Sequence, residues 1–87
     1  PTQKQRDAEY LAKKAEEERK KAAEKALNDR IRLLKSQIAL EDEFSKKSYD
    51  LRVQLIEKEY QQAKMAGVKE ITASNEKIKK LNDLRDE

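Results

Sequence analysis

Residues 27–60 read LNDRIRLLKSQIALEDEFSKKSYDLRVQLIEKEY, and their apolar members keep a period. Leu27, Ile38, Tyr49 and Tyr60 stand eleven residues apart, and Ile71 continues the series. Eleven residues nearly close three α-helical turns, so side chains at that spacing fall on almost one line along a helix. Steps of four, three and four fill the line with Ile31 and Leu34, then Asp42 and Ser45, then Val53 and Ile56, then Lys64 and Gly67, then Asn75 and Ile78. The first, third and last groups are largely apolar. The second and fourth are polar there, so the seam fades twice.

A second apolar line accompanies the first. Leu33 and Leu40 lie roughly 140° from the ridge Leu27, Ile31, Leu34 and Ile38 when each residue turns by about 100°. That is wider than a two-stranded seam needs, and a helix with two apolar faces touches two neighbours. The pattern favours a bundle of three or more helices, or a hairpin that associates further.

Two interruptions divide the chain. The block Glu41–Ser48 is polar, and Ser45 or Ser48 suits a helix N-cap, with Asp50 aiding the first turn. Neither glycine nor proline enforces a break there, and Phe44 carries the flank on to Leu51 and Leu55. Continuation of one helix is therefore favoured over an antiparallel turn within 42–48. Gly67, the only glycine, follows a helical run and is the expected site of the clearest stop, because such a stop uses a left-handed residue. Residues 70–86 resume as a weaker helix through Ile71, Ile78, Leu81 and Leu84, with Val68 and Ile71 placed to staple its start.

Upstream, residues 3–26 are nearly all strong helix formers, with Thr2 or Asp7 as the cap. Their apolar members are mainly Ala8, Ala12, Ala15, Ala22 and Ala26, beside Tyr10 and Leu11, so packing here is expected to be close and weak. Acid-first pairs four apart, Glu16 with Lys20 and Glu17 with Lys21, support a helix standing in water. The chain thus divides into a charged helix over 1–26, an apolar-seam core over 27–66 and a C-terminal helix over 67–87. One unbroken helix over 3–66 would reach roughly 95 Å.

Composition narrows the function. Among 87 residues 45% are charged, 21 basic against 18 acidic, for a net +3. The chain has no cysteine, histidine or tryptophan, so disulfides, thiolate metal sites and histidine chemistry are excluded. No apolar run is long enough to span a bilayer, and a soluble chain is expected. Consecutive Glu41, Asp42 and Glu43 point about 100° apart on a helix and make a solvated face rather than a metal cage. The bases Lys13, Lys14, Arg19, Lys20, Lys21 and Lys25 raise the alternative of a basic helical module binding nucleic acid. The interspersed acids Glu16, Glu17, Glu18 and Glu24 cancel much of that field, and no aromatic platform accompanies it.

The run from Leu27 to Gln37, the run from Ser48 to Glu59 and the preceding Ala-Lys-Lys-Ala-Glu-Glu-Glu-Arg tract resemble the helical middle region of phage tail tape-measure proteins, over residues 10–65. That resemblance implies a segment of a long α-helical protein held in several copies inside the tail tube, with other tail proteins as partners and no catalytic residue in the region. Its setting would be a virion tail assembled in a bacterial cytoplasm. A fragment of a longer chain is also what an 87-residue rod suggests.

The expectation is an all-α, extended coiled-coil rod or helical hairpin that self-associates and acts as spacer, brace or oligomerisation element. Its helix-helix interface is Leu27, Ile31, Leu34, Ile38, Tyr49, Val53, Ile56 and Tyr60, and its helix break is Gly67. The partner is a further copy, without membrane, enzyme chemistry, metal or cofactor.

Overall fold

A computed structural model describes residues 2–86. Among them the chain forms three helices: α1 (Gln3–Leu40), α2 (Lys46–Met65) and α3 (Glu70–Arg85). No strand occurs among the described residues. Thr2 caps α1 through a reciprocal box, its Oγ1 accepting from the Gln5 amide at 3.2 Å while its own amide donates to Gln5 Oε1 at 2.9 Å.

The chain turns back after Leu40, against the favoured reading of a continuous helix. The turn needs neither glycine nor proline, because side chains build it. Asp42 Oδ1 accepts the Phe44 amide at 3.0 Å, and the Ser45 hydroxyl donates to the Asp42 carbonyl at 2.8 Å. That hydroxyl also accepts the Ser48 amide at 3.0 Å, capping α2. An ion pair of 3.1 Å between Lys47 and Glu41 spans the reversal. Phe44 consequently carries no flank from one helix to the next; it stands on the turn, exposed.

The second break falls at Gly67, at φ 90°. The Val68 amide donates to the Ala63 carbonyl at 3.0 Å and the Gly67 amide to Lys64 at 3.1 Å. This paired bonding satisfies the last carbonyls of α2 and requires the left-handed residue at Gly67. Lys69 starts α3 without a side-chain cap. Val68 and Ile71 are both exposed at the start of α3.

The two apolar lines explain how the helices are arranged. On α2, Ser48, Leu51, Leu55 and Gln62 follow one line, while Val53, Ile56, Tyr60 and Ala63 follow another about 130° away. Gln62 donates to Asn28 Oδ1 at 2.6 Å and Arg30 to Gln54 Oε1 at 3.3 Å, which sets the first line towards α1. Lys77 lies 4.8 Å from the Tyr60 ring centroid, which sets the second towards α3. A closed three-helix bundle needs neighbours about 60° apart, whereas about 130° with axes 9 Å apart leaves α1 and α3 roughly 16 Å from each other. Among the described residues α1 and α3 do not touch, and the molecule measures 62 × 28 × 12 Å. It is an open layer about one helix thick, with α2 in the middle.

The eleven-residue line therefore serves two interfaces instead of one seam. Leu27, Ile31 and Leu34 are buried and Ile38 half-buried on the α1 side; Ile56 is buried and Val53 and Tyr60 half-buried on the α3 side. Tyr49 remains 44% exposed at the end of the layer. The flank supplies what faces the α1 ridge, including buried Leu51 and Ser48.

Candidate functional site

Two surfaces stand out: an arm and a trough. The 38 residues of α1 span about 57 Å, against about 30 Å for the 20 of α2. Burial on α1 begins at Leu27, and every described residue before it is exposed. The first half of α1 is thus a solvated arm, as its alanines and charges predict, since few apolar side chains there are large enough to hold a neighbour. Lys20 pairs with Glu16 at 3.7 Å along it. The bases Lys13, Lys14, Arg19, Lys20, Lys21 and Lys25 all lie exposed on this arm, with Glu16, Glu17, Glu18 and Glu24 among them.

The bend at α2 makes one side of the layer concave. There Leu27, Asn28 and Glu24 of α1, Glu59, Gln62 and Ala63 of α2, and Glu76 and Lys80 of α3 line an open trough of about 520 Å³. Glu59 and Lys80 approach to 3.9 Å within it. The carboxylates come from three separate helices. Among the described residues no group of three or more acids is placed to hold a metal ion, and no helix is long and apolar enough to cross a membrane. The sequential acids are used locally: Glu41 in its ion pair, Asp42 in the turn.

The α2–α3 junction carries the densest electrostatics. Lys77 forms an ion pair with Glu57 and sits over Tyr60, and Lys64 reaches the same ring at 5.2 Å and Glu70 at 3.8 Å. The hydrogen bond from Lys77 is the largest influence on the Glu57 carboxyl and holds it below its ordinary 4.5; burial opposes this, and the Lys77 charge adds a smaller lowering. Tyr60 is therefore an aromatic platform within reach of two ammonium groups of the same chain. Ala73, buried against this junction, was absent from the sequence-derived interface. Its signal was weak: a small residue that lets α3 approach closely is indistinguishable in sequence from one on a solvated face.

Of the sequence-derived interface, the structure gathers Leu27, Ile31, Leu34 and Ile38 on one helix edge, and Val53, Ile56 and Tyr60 on another, with Tyr49 apart. The cross-helix pairs Asn28–Gln62 and Arg30–Gln54 escaped sequence reading because only the fold-back brings residues 34 and 24 positions apart into reach. Comparison of the chain with family models, with curated proteins and with solved structures found no match.

Proposed function

We propose that this chain is a structural helical element, a spacer or brace without catalytic chemistry of its own, in which a three-helix layer anchors a projecting arm. The observation that carries this reading is the length of α1. Its first 24 residues project from the layer exposed, held as helix by a capping box, helix-forming residues and the Glu16–Lys20 pair. A protein that bound a small substrate would gain nothing from such an arm, whereas one that holds two bodies apart would. A tape-measure segment is one setting for a spacer of this kind, and the resemblance over residues 10–65 is what points to it. Nucleic-acid binding has less support, because acids interleave with the bases along the arm.

Solution scattering from dilute protein tests the proposal. Deleting residues 9–19 removes eleven residues, about three turns, and so preserves the phase of everything downstream. The longest dimension is expected to shorten by about 16 Å while the melting temperature stays unchanged. An unchanged length, or loss of the layer's cooperative melting, contradicts a free-standing arm.

A further inference from the structure

The contact between α1 and α2 keeps one seven-residue phase through the turn that separates them. Leu27, Leu34, Glu41, Ser48, Leu55 and Gln62 stand seven apart, and Ile31, Ile38, Ser45, Arg52 and Glu59 form a second series four residues on. Every member is buried or half-buried except Gln62, which bonds to Asn28 across the contact at 2.6 Å. These are the two seam positions of a heptad, and they run without a skip from α1 into α2. On a straight helix the two halves of the series would drift about 70° apart, whereas in a left-handed supercoil of about 3.5 residues per turn they make one stripe. A turn between antiparallel helices has no need to preserve that phase. A helix continuing through residues 41–45 does.

The turn itself is built to be unmade. It holds neither glycine nor proline, and side-chain bonds from Asp42 and Ser45 close it. It leaves Phe44 86% exposed. We propose that residues 41–45 are a hinge and that the chain has a second arrangement, an exchanged dimer in which one helix runs through residues 3–65 and α1 of each copy packs against α2 of the other. The structure shows what covers the inner edge of α1: it is α2, and the α2 of a second copy is the same surface. Asn28–Gln62 and Arg30–Gln54, whose midpoints are residues 45 and 42, re-form between the copies, each twice, about a two-fold axis beside the former turn. The hinge alone therefore decides between the two arrangements. The exchanged form loses the turn bonds and the Lys47–Glu41 pair, and it sets the Glu41 and Asp42 carboxylates of both copies near the axis, which opposes it. It gains unbroken helical bonding across the hinge and brings the two Phe44 rings together beside the seam. This exchange stands apart from the spacer reading, because it concerns only how α1 and α2 meet.

Refolding from urea at millimolar concentration, followed by sedimentation and X-ray scattering, tests the exchange. A species of twice the chain mass is expected, with a longest dimension of roughly 120 Å against 62 Å for one chain, because α1 of each copy then points away from the axis along its full length. The variant D42A/S45A removes the turn bonds and supplies helix formers, and should dimerise at least about tenfold more tightly. E43P should do the opposite. The Ser45 amide donates to the Asp42 carbonyl at 3.1 Å, which makes residue 43 the second position of a β-turn, where proline is favoured. The same proline inside a continuous helix clashes with the preceding turn, so E43P should keep the melting of the monomer and dimerise at least about a hundredfold more weakly. Wild type and D42A/S45A both staying monomeric, a dimer that E43P leaves unchanged, or a dimer no longer than one chain overturns the exchange. The arm deletion is read on dilute monomer, so its result is independent of this one.

Discussion

Ser48 is fully buried between α1 and α2, and its hydroxyl oxygen has no hydrogen-bond partner. A buried hydroxyl without a partner costs about 1–3 kcal/mol relative to an apolar group of similar shape. Its neighbour three residues earlier does the opposite, since the Ser45 hydroxyl both caps α2 and closes the turn. Alanine substitution should therefore separate the two: S48A raises stability by about 1 kcal/mol, helped by the better helix propensity of alanine, and S45A lowers it by a similar amount. Urea melts of both variants read this directly, and a destabilised S48A would mean that the hydroxyl has found a partner. Sequence identified these serines as cap candidates but not which one capped. Deciding needed the position of Asp42, whose side chain fixes the turn one residue before Glu43 and leaves Ser45 at the helix start.

At the scale of the elements, periodicity located the helices well and their connections poorly. Gly67 was legible because a left-handed stop selects glycine for a single physical reason. The turn at 41–45 was not, because an aspartate and a serine can be solvated helix residues as easily as turn builders until the tertiary fold uses them. The α2–α3 contact has a pH signature that follows from its ion pair. Glu57 has a folded-state pKa below its ordinary 4.5, so the pair adds stability fully above that unfolded value. The contribution is lost as pH falls from about 4.5 through the lower folded value. E57Q should accordingly melt below wild type at neutral pH, with the gap closing on acidification. Thermal melts between pH 7 and pH 2 give the comparison, roughly spanning the titration of a carboxylate. A gap that persists unchanged at the acid end would assign the effect to packing and not to charge.

For the whole molecule, an open layer has a consequence that a closed bundle lacks. In a bundle every helix touches every other and the three unfold together. Here α2 alone connects α1 to α3, so each outer helix can leave without disturbing the opposite contact. The α3 side is the weaker one: Ala73 is the only fully apolar buried residue it contributes among those described, against Leu27, Ile31 and Leu34 from α1. Truncating Ile56, buried on the α3 side of α2, tests this asymmetry. I56A should remove about 2 kcal/mol from the α2–α3 contact, enough to speed amide exchange in α3 roughly thirtyfold. Exchange in α1 around residues 27–38 should change far less, and the arm, which has no tertiary contact to lose, not at all. Hydrogen exchange resolved by helix distinguishes the cases. If protection falls equally across all three helices, the layer is a single cooperative unit and the picture of α2 as a hinge between two separable contacts is wrong.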